Sequence, residues 1–335
     1  MNLINLNFKM KKRINYLETN NLFEKFSPIF RVFICVHLLK DLFLTSSLRD
    51  LLYKGKLFLS TSDSIILEIS GIGTQLVRNN YDIFTLLFVA VLIFYFFGVG
   101  KNYIGFAVYI FYDIFQNLNP VTLNGGDNIL KFAILYMSFV NSYNYFSISK
   151  QVYTNDNLNK LSNVISNLAG YSICIHLCLA YFIAAIHKIH SDVWFNGIAT
   201  YYTLSLERFQ GTSYNLSLSK SAIFVTLSTY FTILIELLHP ILVWFKKTKI
   251  IVIILAVLMH LSISILMMLY DFQIVFIVLQ GFFLTNPQVD NYLIKPIQSL
   301  KKGFINKLNI NKFVYIPGIF IFIVILLKLI FKNFS

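Results

Sequence analysis

The chain has 335 residues, of which 57% are hydrophobic and only 13% are charged, and its mean hydropathy is +0.67. Soluble domains carry about 25% charged residues, so the composition excludes an ordinary soluble protein and predicts an all-α, polytopic integral membrane protein. The formal net charge of +13 does not indicate nucleic-acid binding, because the basic residues lie between apolar segments and do not form one face. We interpret them as topology signals and as contacts to anionic membrane lipid.

Nine apolar segments, taken in chain order, predict about eight or nine transmembrane helices. One membrane crossing needs ~20 mostly apolar residues. The candidate segments are residues 28–44, 83–100, 104–118, 129–146, 164–186, 222–245, 250–269, 272–284 and 315–331. The third and the eighth are short enough to be re-entrant or strongly tilted. This pattern divides the chain into a basic cytoplasmic N-terminus (1–27), a helical membrane domain (28–290) and a basic linker with a C-terminal transmembrane helix (291–335).

The basic residues also predict an orientation. Cytoplasmic loops of membrane proteins carry an excess of lysine and arginine, and a cytoplasmic N-terminus places most of the basic residues inside. No small-residue cleavage site follows the basic N-terminus, which predicts an uncleaved first span. In this orientation the polar motifs at residues 124–127, 187–197 and 270–271 all face the extracytoplasmic side. The three cysteines lie within apolar segments and predict neither a disulfide framework nor a zinc site.

An ionisable group follows the fifth apolar segment, in the run that contains His187, Lys188 and Trp194. On a helix, Ala184, His187 and Lys188 share one face, which would place an imidazole beside an amine. A lysine in a low-dielectric pocket can act as a base. The alternative is a lysine that extends towards the membrane surface, with Trp194 as an interfacial anchor. Both interpretations remain open from the sequence.

A Gly-Gly pair opens the fourth apolar segment, in the run Asn124, Gly125, Gly126 and Asp127. Glycines permit a tight turn, and Asp127 is a candidate N-cap. The run is either a structural helix start or a backbone cradle that faces the extracytoplasmic site.

Three further polar residues lie inside apolar segments. Glu236 and His239 share a helix face, and a carboxylate at this depth needs a partner, for which Lys188 and His260 are the candidates. One Glu-x-x-His motif could form half of a di-iron site, but that site needs a second such motif and two further glutamates. We therefore predict no metal. His260 is either a structural hydrogen-bonding residue or part of one cavity with the lysine, and we expect His176 to bond a backbone carbonyl.

The motifs of common soluble catalysts are absent from the sequence. It contains no phosphate-binding glycine loop, no Gly-x-Ser-x-Gly elbow and no His-Glu-x-x-His. A metalloprotease and an ATP-driven transporter are therefore disfavoured.

The order of these motifs resembles the HTTM domain, the membrane domain shared with vitamin K-dependent γ-carboxylases, over roughly residues 25–290. Within it, the chain is most similar to the sporulation-delaying-protein B (SdpB) family. The residues that carry the resemblance are Lys188, Trp194, Gly197, Ala199, Glu236, Pro240 and His260. The run TLNGGD at 122–127 resembles that family's Leu-Asp/Asn-Gly-Gly-Asp, and WFNGIATYY at 194–202 is similar to its Trp-x-x-Gly-x-Ala-x-Tyr-Tyr.

The resemblance implies a membrane factor that helps to mature or export a secreted antimicrobial peptide, together with a small partner protein encoded beside it. We expect such a protein in a bacterial plasma membrane, acting on a secreted pro-peptide. The candidate catalytic residues are Lys188, His187, His260 and Glu236, and the candidate substrate-binding residues are Asn124, Gly125, Gly126, Asp127, Trp194 and Gly197.

Two other functions remain open. In the wider superfamily, a lysine before the tryptophan is the base that acts on vitamin K hydroquinone, and Lys188 matches it. The chain departs from that pattern because His187 replaces the first lysine of a pair and the large lumenal domain is missing. Vitamin K or another quinone is therefore implied by the superfamily resemblance alone. The third function is that of a non-catalytic immunity protein or channel.

Overall fold

The computed structural model describes residues 3–48, 50–54, 65–71, 73–148, 155–296 and 298. Every regular element in these ranges is a helix and none is a strand, which confirms the predicted all-α class. The α-helices are α1 (Leu3–Thr19), α2 (Phe26–Leu44), α3 (Ile65–Ser70), α4 (Thr74–Asn79), α5 (Tyr81–Phe97), α6 (Lys101–Leu118), α7 (Gly125–Met137), α8 (Asp156–Ile189), α9 (Asp192–Phe195), α10 (Ala199–Ser205), α11 (Asn215–Ser219), α12 (Ala222–Leu242), α13 (Lys249–Met267), α14 (Tyr270–Leu279) and α15 (Asn286–Val289).

Helix α8 is the centre of the bundle, with 34 residues. It contacts α1, α7, α12 and α14. Phe23 packs so closely on Gly170 of α8 that a Cβ there would lie 2.2 Å from the ring. The three cysteines are free and buried in this packing, where a thiol behaves as a small apolar side chain. Because α8 contacts helices from both the N-terminal and the C-terminal parts of the chain, it positions polar groups from both parts next to one another.

Three helices of the described chain, α8, α12 and α13, are long and apolar enough to cross a membrane, and α5 and α14 are shorter apolar helices. Eight of the predicted segments overlap a helix, but overlap alone does not make that helix a membrane crossing. Helix α7 has 13 residues, which span about 20 Å at 1.5 Å per residue, and the hydrocarbon core is about 30 Å thick. The count of eight or nine crossings therefore stays a prediction, and the ninth segment, 315–331, lies outside the described residues.

The fully buried Arg31 joins α2 to the ends of two neighbouring segments. Its guanidinium donates to the carbonyl oxygens of Tyr95 and Phe146, each at 2.6 Å, and it lies 5.2 Å from the centre of the Tyr143 ring. The carbonyls at a helix C-terminus have no partner within the helix, so a buried cation can satisfy those at the end of α5. Arg31 is thus buried inside the bundle.

The basic N-terminal segment forms a helix and docks on the polar first part of α8. The side-chain amide of Asn167 donates to the carbonyl oxygens of Leu17 and Asn20 at 3.0 and 2.7 Å. Asn163 donates to the carbonyl of Glu18 at 2.9 Å. These asparagines satisfy the C-terminal carbonyls of α1 and the turn after it. The segment predicted as a basic terminus is thus packed on the bundle.

Candidate functional site

An ion pair joins α8 to α12. The ammonium nitrogen of Lys188 donates to both carboxylate oxygens of Glu236, at 2.8 and 2.6 Å. The side chains are 20% and 10% exposed, respectively. Lys188 lies one residue before the end of α8, whereas Glu236 lies in the C-terminal half of α12. Of the two partners that the sequence offered for Glu236, the structure selects the lysine.

Antiparallel packing of α8 against α12 produces this pairing. Along the interface, Tyr171 meets Trp244 at a ring distance of 6.4 Å, and Tyr181 meets His239 at 4.4 Å. The lysine comes next along α8, seven residues after Tyr181, and so remains on the same face. The first half of α12 therefore extends beyond the end of α8, and the short helices after α8 fill the space beside it.

Trp194 belongs to α9 and lies beside the ion pair, and Gly197 lies in the turn between α9 and α10. The Lys188 nitrogen lies 5.0 Å from the centre of the Trp194 ring, a distance at which the aromatic face attracts a cation. Gly197 adopts φ +73°, and a Cβ there would lie 3.0 Å from the Tyr230 ring. A positive φ favours glycine, so Gly197 lets the chain turn tightly against α12.

A buried hydrogen-bond network lies between the same faces of α8 and α12, about two turns before Lys188 along α8. The Tyr181 hydroxyl lies 2.6 Å from Nε2 of His260 and accepts a hydrogen bond from the Gln280 amide at 2.9 Å. The Gln280 amide oxygen lies 2.8 Å from Nε2 of His239, and Nδ1 of His260 contacts the amide oxygen of Gln273. All five side chains are buried. The network connects α8, α12, α13 and the segment 270–283.

The sequence predicted one cavity around Lys188, Glu236 and His260, and the structure resolves this into two adjacent groups. His260 bonds to Tyr181 and Gln273, and the lysine bonds to the carboxylate. The groups share α8 and α12, since Tyr181 precedes the lysine on one helix and Glu236 precedes His239 by three residues on the other.

Two histidines lie away from the ion pair. His187 is exposed on α8, so it is next to Lys188 in sequence but is not part of the ion pair. His176 lies 3.4 Å from the hydroxyl of Tyr136 and packs in a tilted arrangement against Phe132 at a ring distance of 4.7 Å. The expected backbone carbonyl is therefore replaced by a tyrosine hydroxyl.

The Asn124-Gly-Gly-Asp127 run starts α7, with Asn124 as the N-cap and Asp127 at the third helical position. The Asn124 side chain accepts from the backbone N–H groups of Gly126 and Asp127 at 2.7 and 3.3 Å, and Asp127 accepts from the backbone N–H of Asn124 at 2.8 Å. This is a reciprocal capping box. The prediction of Asp127 as N-cap was wrong by three residues, because Asn124 precedes the first helical turn and its side-chain oxygen accepts from the free N–H groups there, while Asp127 already lies at the third helical position.

The glycines of this run allow α14 to approach. A Cβ on Gly126 would lie 2.9 Å from the backbone of Phe272, and a Cβ on Gly125 would lie 2.9 Å from its ring. Asn124 and Asp127 line a cavity that does not include the Lys188 pair. The residues predicted to bind substrate are thus divided between two places.

Sequence reasoning missed Tyr181, Gln273 and Gln280 as parts of the polar network. Glutamine is costly in an apolar segment unless it is hydrogen-bonded, and two glutamines seven residues apart in 272–284 carried that signal. Sequence reasoning also found no partner for Lys131, which lies inside the fourth apolar segment. The structure pairs this lysine with Asp113 of α6.

No three histidine, cysteine or acidic side chains in the described part of the chain are placed to hold a metal ion. The comparisons with known proteins returned no matching family model, no matching curated protein and no matching solved structure.

Proposed function

We propose that this protein is an integral membrane factor that helps to mature or export a secreted antimicrobial peptide at the extracytoplasmic side of a bacterial plasma membrane. The observation that carries the proposal is the Lys188–Glu236 ion pair, which lies inside the bundle beside Trp194. Three helices long enough to cross a membrane and the resemblance to the SdpB family support the same function.

The ion pair favours a functional site, because the desolvation of two buried charges costs free energy that apolar side chains would not cost. Replacing a buried ion pair with well-packed apolar residues is often neutral or stabilising, and ionisable residues at membrane depth commonly mark functional sites. Both helices could bury leucine here with less desolvation. We infer that Lys188 and Glu236 offer a charged donor and a charged acceptor to the peptide or to the partner protein.

The superfamily's quinone chemistry fits this arrangement poorly. A base needs a free lone pair, and the Lys188 nitrogen instead donates to both oxygens of Glu236. We therefore derive no step through vitamin K or another quinone, and we assign Lys188 the role of a charged hydrogen-bond donor.

The test is mass spectrometry of secreted peptides from the producing strain. Four backgrounds are compared at matched membrane abundance: wild type, deletion, Lys188→Ala and Lys160→Ala. Lys160 is the matched control, since it lies on the same helix in an exposed pair with Asp156. We expect one peptide to lose its mature form in the deletion and in Lys188→Ala but not in Lys160→Ala.

The other outcomes separate the alternative functions. An effect of the deletion without an effect of Lys188→Ala would make the lysine structural. An unchanged set of secreted peptides in the deletion, with lost resistance to an added toxin, would favour an immunity protein and end the maturation proposal.

A further inference from the structure

A second polar site lies at the end of the bundle where α2 and α6 end and α7 and α14 begin. It is a cavity of about 230 Å³. Lys188, Glu236 and the tyrosine–histidine network do not line it. The residues that matter for its chemistry are Asp41, Asp127, Asp271, Asn119, Tyr53 and Phe115.

Acidic side chains dominate the charge of this cavity. Lys40 pairs with both Asp41 and Asp271, and His37 lies 3.5 Å from Asp41. Arg78 also lies close to the wall, where it donates to the carbonyl oxygens of Tyr53 and Leu118 at 3.0 and 2.7 Å. The two cations, Lys40 and Arg78, are already held by their own partners. An ionised carboxylate can accept several hydrogen bonds, so three carboxylates leave acceptor capacity towards the cavity.

An amide with no partner lies in the same wall. Asn119 is 1% exposed, and neither its side-chain oxygen nor its side-chain nitrogen has a hydrogen-bond partner within the described residues. Its neighbour Gln116 is satisfied, since it donates to the backbone oxygen of Asp127 at 3.1 Å. Buried polar groups are nearly always paired, so the free Asn119 amide indicates a ligand with a polar group.

The geometry favours an organic cation over a metal ion. The carboxylates are not among any set of three ligands that could hold a metal, and the aromatic rings of Tyr53 and Phe115 complete the wall. Aromatic faces attract ammonium and guanidinium groups. Ordinary ligand pockets begin at about 300 Å³, so this cavity suits one side chain better than a whole peptide.

We propose that the cavity binds one basic group, a side-chain ammonium or guanidinium, of the secreted peptide. The peptide as the source of that group rests on the proposed function, whereas the cation chemistry does not. The three carboxylates attract the charge, the aromatic rings cover it, and Asn119 bonds the polar end. The Asn124 capping box fixes Asp127 in the wall, which gives the Gly-Gly run a binding role.

The test uses the full-length protein in lipid nanodiscs and calorimetric titration. The probes are the capped tripeptide Gly-Lys-Gly, its norleucine analogue and n-butylammonium. We expect the lysine tripeptide to bind, the norleucine tripeptide not to bind, and butylammonium to bind more weakly than the lysine tripeptide. Asp271→Asn should weaken binding of the lysine tripeptide by about fivefold, the order expected for one charged contact in a wet site. Asn119→Ala should weaken it by a similar factor, the order expected for one hydrogen bond.

Asp156→Asn is the matched control, because it removes the same charge from the far end of α8, and it should bind like wild type. We expect the Asp271→Asn variant to fold, because the Asp271 side chain is 56% exposed and Lys40 retains its ion pair with Asp41. Equal binding of the lysine and norleucine tripeptides, or unchanged binding in both Asp271→Asn and Asn119→Ala, would overturn the cation site. Butylammonium binding as tightly as the lysine tripeptide would overturn the peptide assignment.

The two proposals fail in different ways. If Lys188→Ala abolishes the mature peptide while Asp271→Asn and Asn119→Ala both leave binding unchanged, the proposed function stands and the cavity assignment fails. If Asp271→Asn weakens binding while the deletion leaves the secreted peptides unchanged, the cation site stands and the proposed function fails.

Discussion

The ammonium of Lys188 lies 2.8 and 2.6 Å from the two carboxylate oxygens of Glu236, so two hydrogen bonds join the end of α8 to the C-terminal half of α12. Each charge is desolvated and each has the other as its partner. The stability of this interface therefore depends on both residues together.

The first prediction concerns the coupling of this pair. Lys188→Met or Glu236→Gln alone should lower the free energy of unfolding by about 3 kcal/mol, because each leaves the other group without its charged partner. The double variant should recover most of that loss. Denaturant unfolding in mixed micelles measures all three variants. Simple additivity of the two single effects would contradict the pairing.

The second prediction separates a charged donor from a base. Lys188→Arg keeps the positive charge and can form two hydrogen bonds with Glu236, but a guanidinium does not lose its proton in proteins. We expect unchanged thermal stability and most of the wild-type yield of mature peptide, measured by quantitative mass spectrometry. A tenfold loss of mature peptide at unchanged stability would instead favour a lysine base.

A third prediction concerns the buried network. Tyr181→Phe removes the hydroxyl that bonds His260 and Gln280, which leaves buried polar groups unsatisfied at a cost of about 1–3 kcal/mol. Tyr230→Phe is the control, because the Tyr230 hydroxyl makes an exposed bond to the Phe195 carbonyl. The control should lose less than about 1 kcal/mol. Equal losses in denaturant unfolding would argue against a cooperative network.

The fourth prediction distinguishes the two glycines at the start of α7. A Cβ at Gly126 would meet the backbone of Phe272, while one at Gly125 would meet only the end of its ring. Gly126→Ala should therefore cost about 1–3 kcal/mol, and Gly125→Ala clearly less, because the ring can turn away. Thermal unfolding of the two purified variants gives the comparison. A larger loss for Gly125→Ala would show that the α7–α14 contact is assigned to the wrong residue.

Hydrophobic patterning predicted the helices well and their ends less well. Residues 104–118 correspond closely to α6, since apolar periodicity reports which segments are helical. Residues 129–146 do not correspond to one helix, because α7 already ends at Met137. After that residue the chain turns inside the bundle, where Ser138 and Asn141 are buried. Asn141 is held there by the Ser166 hydroxyl of α8, a contact between distant residues that local patterning does not reveal.

Site prediction shows the same limit. Polar residues in apolar runs identified Lys188 and Glu236 as groups that need partners, and the cost of unpaired charge in lipid makes that inference sound. The identity of each partner depends on which helices are adjacent. Lys188 and His260 were both candidate partners of Glu236, and the antiparallel register of α8 and α12 decided between them.

Composition and periodicity by themselves determined that the described residues are all-α, that they include apolar helices of membrane-spanning length and that charged groups within such helices need partners. These properties follow from local side-chain chemistry. Tertiary structure alone decided that Lys188 pairs with Glu236, that Tyr181 links two histidines, and that the Asn124 run lies at a separate acidic cavity. Each of those contacts joins residues far apart in sequence, and its formation depends on the packing register of whole helices.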